Sequence, residues 1–140
     1  MNIVPVYPLE VDGYWTHLSD GMERACKKAR CNRIAPELCQ ACRTGHYWLH
    51  VAKTDDGEVV GGIIFSVYET PWGRTAEVIA LCGHDLKGWV RDLREYRWLK
   101  TMNITRIEAT GRPGFARLLR AFLPLRVIRH VYEMELSDAG

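Results

Sequence analysis

From Val11 onward, apolar residues recur at helical spacing. Tyr14, Trp15, Leu18, Met22, Ala25, Cys26 and Ala29 fall on one stripe and predict a long amphipathic helix. Gly21 interrupts the stripe and is expected to weaken or split that helix. Before it, residues 2–8 alternate weakly and predict a first strand that Pro8 ends. Pro36, at an early helical position, opens a shorter second helix, which Thr44-Gly45 closes. The period then drops to two. Residues 47–52 predict a strand, and Thr54-Asp55-Asp56-Gly57 a hairpin turn in which Gly57 supplies positive φ. Residues 58–68 predict a long strand, Thr70-Pro71-Trp72-Gly73 a second turn, and residues 75–81 a third strand. Leu86, Trp89, Val90, Leu93, Tyr96 and Leu99 return to helical spacing, and residues 104–109 alternate as a strand. Phe115, Leu118, Leu119 and Phe122 stripe a short helix, and residues 127–136 close the chain as a strand. Trp89, Leu93, Phe115 and Leu119 should be buried, because each lies on the apolar stripe of its helix.

The resulting order is β-α-α-β-β-β-α-β-α-β. An antiparallel meander of three strands followed by two βα units predicts an α/β fold with a mixed sheet and helices on both faces. No repeat, low-complexity stretch or linker divides the chain, so residues 1–140 read as a single domain.

Composition narrows the function classes. An apolar content of 47% and a charged content of 26% are those of an ordinary soluble domain. The net charge of +2 gives no bulk argument for nucleic acid, and no clear nucleic-acid motif is present. Two basic clusters stand out, Arg24, Lys27, Lys28, Arg30 and Arg33, then Arg112, Arg117, Arg120, Arg126 and Arg129. Both read either as solvated helix faces or as ligand sites. The longest apolar run, residues 59–67, is broken by Ser66 and is too short to span a membrane. The N-terminus shows no secretory pattern, so a cytoplasmic protein with reduced thiols is expected. Cys26, Cys31, Cys39 and Cys42 include a Cys39-Gln40-Ala41-Cys42 step with the gap of a zinc hairpin. Its flanks read as helix, so these cysteines are expected to pack as small apolar groups, with no bridge and no metal. The competing reading is a zinc-stapled interaction module.

Two stretches carry a family resemblance. One is Val78-Ile79-Ala80-Leu81-Cys82-Gly83-His84-Asp85-Leu86-Lys87-Gly88-Trp89, which joins a strand to a helix through a glycine-bearing turn. The other is Gly111-Arg112-Pro113-Gly114-Phe115-Ala116-Arg117-Leu118-Leu119. Together with the element order they resemble the GNAT family of acyl-CoA N-acyltransferases over residues 3–136, and within it a divergent group encoded by tailed phages and prophages.

The resemblance implies acetyl-CoA or another acyl-CoA as cofactor, and no metal. The acyl-CoA would lie in a V between strands near Leu81 and Ile107. Its pyrophosphate would rest on the turn between Gly83 and Gly88, where a helix start offers unpaired N–H groups, with Leu81, Gly83, Lys87, Gly88 and Arg112 as the binding residues. Glu77, the only carboxylate on its strand, is the implied base for the attacking amine. The family's acid tyrosine falls on Leu119, which cannot donate a proton, so Tyr132 on the last strand becomes the candidate acid, with Tyr68 also available. The turn departs from the family's usual Arg or Gln followed by Gly-x-Gly, and Asp85 brings a negative charge to it. Two functions therefore stay open: an acyl-CoA-dependent N-acyltransferase, or a non-catalytic virion component or phage assembly protein built on the same fold. The implied partners are acyl-CoA, phage structural proteins or further copies of the chain, in the host cytoplasm or incorporated into the virion.

Overall fold

The computed structural model describes residues 1–29, 32–110, 117, 120 and 123–136. The chain begins with strand β1 (Asn2–Val6) and, after a 3-10 turn, continues into helices α1 (Val11–Ala29) and α2 (Ala35–Arg43). Strands β2 (Trp48–Lys53), β3 (Val59–Thr70) and β4 (Gly73–Gly83) follow, then the short helices α3 (Leu86–Trp89) and α4 (Arg97–Thr101) and strand β5 (Arg106–Ala109). The five strands form one sheet in the order β1-β2-β3-β4-β5. The first four are antiparallel, and β5 lies parallel to β4, so the sheet is mixed.

Each face of the sheet carries its own core. On one face, Val11, Leu18, Met22 and Cys26 of α1 and Leu38, Cys39 and Cys42 of α2 pack onto Leu49, Val51, Ile64, Ala80 and Cys82. Helix α1 runs unbroken through Gly21. A side chain there would press on the Cys82 sulfur 3.0 Å away, so the glycine is what lets α1 lie close to β4. Cys26, Cys39, Cys42 and Cys82 are buried and not bridged, and burial pushes the Cys42 thiol up to about 12. Among the described residues no group of three or more His, Cys, Asp or Glu could hold a metal ion; Cys31 lies outside them.

On the other face, Phe65, Ala76, Trp89, Val90, Leu93 and Leu99 form the second core. Trp89 and Leu93 are buried as their stripe predicts, while Phe115 and Leu119 lie outside the described residues. A buried histidine joins this core. His50 on β2 is fully enclosed, with Trp98, Phe65 and Tyr96 rings 4.3, 5.3 and 5.4 Å from its own. Its Nδ1 meets the Tyr96 hydroxyl at 2.8 Å, and its Nε2 has no hydrogen-bond partner among the described residues. Burial pulls its pKa down to about 3, so the ring is neutral.

Two elements differ from the sequence expectation. The single helix read across Leu86 to Leu99 is α3, a 3-10 stretch (Val90–Glu95) and α4. Aromatic anchors hold both ends of the irregular stretch: Trp89 Nε1 donates to the His84 carbonyl at 3.0 Å, and Tyr96 is tied to His50. At Tyr96 the backbone is extended, with φ −66° and ψ 118°. The closing strand is also not formed. Residues 124–136 enter no ladder among the described residues, and Val131, Tyr132, Met134 and Leu136 are 74% to 89% exposed. Alternation marks a segment able to become a strand, but a strand also needs a partner edge.

Candidate functional site

The site begins with a fault in the β3–β4 ladder. Ile64 lies opposite Ala80 and Phe65 opposite Val78, so Ile79 is an extra residue on β4, a β-bulge. The β4–β5 ladder pairs Thr75 through Val78 with Arg106 through Ala109 and ends there. Beyond the bulge β4 runs on to Gly83 alongside β3, while β5 has stopped. Where the two parallel strands part, a cleft of about 480 Å³ opens on the α3 face. Among the described residues its walls include Val78, Leu81, Leu93, Ile107, Ala109 and Leu123. Leu81 and Ile107 thus line one apolar cleft, as the resemblance implies.

Strand parity puts a different chemistry on the opposite face. Val78 turns toward the cleft, so Glu77 beside it turns away, toward the α1 side, at the last rungs before the strands part. The parallel pairing sets Glu108 of β5 next to Glu77, and Tyr68 of β3 reaches both. The Tyr68 hydroxyl lies 3.5 Å from Glu77 Oε1 and 3.4 Å from Glu108 Oε2. Arg129 donates to Glu108 Oε2 at 2.9 Å and Arg106 to Glu108 Oε1 at 2.8 Å. Hydrogen bonds from Arg129 and then Arg106 hold the Glu108 carboxyl down at about 2, against the upward push of desolvation. Partial burial, followed by the charges of Glu77 and Glu108, raises the Tyr68 phenol above its usual value. Glu108 is therefore committed to its arginines. Glu77 makes no ion pair among the described residues.

The two candidate acids part company here. Tyr68 stands in the Glu77 cluster. Tyr132 is 87% exposed, with its ring 6.2 Å from that of His130, and no described contact joins it to Glu77 or Glu108. The signal for Glu108 was in the sequence, as the alternation of Arg106, Ile107, Glu108 and Ala109. Its value depends on knowing that β5 lies parallel to β4 and in which register.

The turn from Gly83 to Gly88 is built as follows. Gly83 has φ +132°, and a Cβ there would collide with Gly61 and the Val60 carbonyl of β3. The close approach that fixes this glycine is to the protein's own backbone. The His84 N–H donates to the Val60 carbonyl at 2.8 Å and the Gly88 N–H to the Asp85 carbonyl at 2.9 Å. Asp85 occupies the N-cap position in a left-handed conformation, φ 50° and ψ 49°, and makes no side-chain cap bond. Its carboxylate instead leans over Gly88, where an added Cβ would strike Asp85 Oδ2 and Met1 Cε. The N–H groups of Leu86 and Lys87 have no backbone acceptor among the described residues, and Lys87 is exposed beside them. Arg112 lies outside the described residues.

This arrangement fits an acyl-CoA in most respects. The cleft suits an acyl and pantetheine arm, and two amides plus Lys87 suit a phosphate; Asp85 alone opposes it. Asp85→Asn is accordingly expected to tighten acetyl-CoA binding by about two- to fivefold in calorimetry. Unchanged affinity would mean that the phosphates rest elsewhere.

No protein-family model matches the chain, and no curated protein matches it. Solved structures do. The chain is similar to a probable acetyltransferase, with 11% identity, a TM-score of 0.68 and coverage of 99% of both chains. It is similar to a ribosomal-protein-alanine N-acetyltransferase from Brucella melitensis biovar Abortus 2308 at 15% identity and a TM-score of 0.62, covering 97% of this chain and 100% of the other. An aminoglycoside acetyltransferase from an uncultured soil metagenomic sample matches at 15% identity and a TM-score of 0.66, covering 97% and 98%. The fold is that of the GNAT acetyltransferases: a five-strand mixed sheet with helices on both faces, over nearly the full length of both chains.

Proposed function

We propose that this chain is an acyl-CoA-dependent N-acyltransferase, with the donor in the cleft between β4 and β5 and the amine acceptor on the Glu77 face. The observation that carries this reading is the parting of the two parallel strands after Val78, which opens an apolar cleft at Leu81 and Ile107. Acyl-CoA supplies an acyl group activated as a thioester. Leu81, Val78 and Ile107 would exclude water from that arm. The amides of Leu86 and Lys87 and the Lys87 ammonium would hold the pyrophosphate, and Arg112, outside the described residues, is the further contact the resemblance implies. Glu77 accepts the proton of the attacking amine, and the Tyr68 hydroxyl steadies its carboxylate. A thiol with a pKa of about 8.5 leaves close to neutrality with little help. Tyr132, on its exposed segment, or water then protonates it.

Asp85 favours a second reading. A carboxylate leaning over Gly88 is the one feature of the turn that repels a phosphate. On that reading the chain is a non-catalytic descendant, serving as a binding block in a phage virion or its assembly. One titration separates the two. Acetyl-CoA at about a hundred times its dissociation constant should stabilise the fold by about 2.7 kcal/mol, a clear rise in melting temperature. Gly88→Asp should abolish that rise while leaving the unliganded melting temperature nearly unchanged, because its Cβ displaces only the mobile ends of Asp85 and Met1. Absence of any rise with the unaltered chain sinks the acyltransferase reading and leaves the second.

A further inference from the structure

We propose that residues 123–136 strap the outer edge of β5 and that Arg129 latches the acceptor face, so that a cationic amine reaches Glu77 only by displacing this guanidinium. The inference rests on the assignment of that face to the acceptor. The strap begins on the donor side of the sheet. Leu123 packs against the second core, and Pro124 and Leu125 line the cleft beside Ile107 and Ala109. A few residues later Arg129 is on the opposite face, where it donates to Glu108 Oε2 at 2.9 Å and to Oε1 at 3.4 Å. Among the described residues β5 is the last strand of the sheet, so the chain passes from one face to the other around its free edge.

The contact is built to release. The Arg129 side chain is 57% exposed and that of Glu108 only 9%, so the guanidinium lies on the solvent side of a carboxylate that is otherwise covered. Its hydrogen bond to Glu108 and the charge of that carboxylate, with lesser contributions from Tyr68 and Glu77, raise the Arg129 pKa. An ammonium approaching Glu77 therefore meets a fixed positive charge first. When Arg129 leaves, Arg106 still donates to Glu108 Oε1 at 2.8 Å, so the covered carboxylate keeps a partner. Residues 126–136 enter no ladder among the described residues, so swinging the strap away breaks no strand pairing there. An ion pair this exposed is weak by itself. The tether strengthens it, because a few residues of chain hold a group at an effective concentration on the order of millimolar. A free amine opens the latch by taking the place of the guanidinium on Glu108, and it must compete with that local concentration.

Limited trypsin digestion of the full chain tests the latch, because trypsin must draw an arginine side chain into its own pocket. The reference is a peptide of residues 123–136, which has the bonds after Arg126 and Arg129 but no Glu108. Cleavage after Arg129, relative to cleavage after Arg126, is expected to be about tenfold slower in the chain than in the peptide. Adding 1,4-diaminobutane to the unaltered chain should raise that ratio about threefold above the effect of sodium chloride at equal ionic strength. Glu108→Gln should bring the ratio to that of the peptide. In calorimetry Arg129→Ala should bind 1,4-diaminobutane about tenfold more tightly than the unaltered chain, and Arg126→Ala, with the same loss of charge, should not. Equal ratios in chain and peptide overturn the proposal. So does an amine that acts no better than salt, or an affinity for it unmoved by Arg129→Ala. None of these readouts needs turnover or acetyl-CoA, so they separate the latch from the acyltransferase reading, which the acetyl-CoA melting titration decides.

Discussion

Glu77→Gln should reduce acetyl transfer to an amine by about a hundred- to ten-thousandfold while leaving acetyl-CoA binding and the melting temperature nearly intact. The size follows from the role, since an amine must shed a proton as it attacks, and glutamine keeps the shape of glutamate but cannot accept one. The expected sparing of stability follows from the surroundings. Glu77 is only half buried, makes no ion pair among the described residues, and receives one long hydrogen bond from Tyr68. Glu108→Gln is the contrast, because it removes the carboxylate that binds Arg106 and Arg129 and should loosen β5 without supplying or removing a base. Steady-state acetylation by the two variants, each with its melting temperature, decides the point. If Glu77→Gln acetylates as fast as the unaltered chain, Glu77 is not the base.

A second large effect is expected on acidification, and it comes from His50. In the folded chain the ring is neutral, with a pKa near 3; in the unfolded chain it has its ordinary value of 6.5. Above pH 6.5 neither state is protonated at this residue, and stability is unaffected. As pH falls below 6.5 the unfolded state gains a proton that the folded state refuses, so stability is lost progressively until about pH 3. The full loss is on the order of 4–5 kcal/mol, roughly 1.4 kcal/mol for each pH unit once the window is entered. The cause lies in the packing: burial strips water from a charged ring, and among the described residues Nε2 has no hydrogen-bond partner. Urea unfolding of the unaltered chain and of His50→Leu at pH 7, 6 and 5 isolates the effect, because every other titratable group is common to both. A stability difference between the two chains that is flat across this range would show that His50 is not held neutral.

How much of this was legible in the sequence depended on whether the deciding interaction was local. Helix α1, helix α2 and the β2–β3–β4 meander were readable because period, Pro36 and the turns at Gly57 and Gly73 act within a few residues. The burial of Trp89 and Leu93 followed from the same stripe, yet the breaking of their helix did not, because Trp89 and Tyr96 are anchored by His84 and by distant His50. The placement of Leu81 and Ile107 beside one cleft came through family likeness. The physical reason for it, the bulge at Ile79, has no glycine or proline to announce it. Tyr68 and Glu108 join Glu77 through strand register, which alternation alone does not fix. The strand read at residues 127–136 has the alternation of a strand but enters no ladder among the described residues, and alternation alone does not supply that pairing.

The bulge has one more consequence, visible when β4 is counted codon by codon. Val78 and Leu81 face the cleft, while Ala80 and Cys82 face α1, so Ile79 and Ala80 lie consecutively on the same side. Removing Ile79 would leave every later residue of the strand on its present face and every core contact of Ala80, Leu81 and Cys82 available. The strand would become regular, free to stay beside β5 past Val78. A single in-frame triplet, and with it one side chain packed on the α1 core, therefore separates this sheet from a plain one whose two parallel strands stay together past Val78.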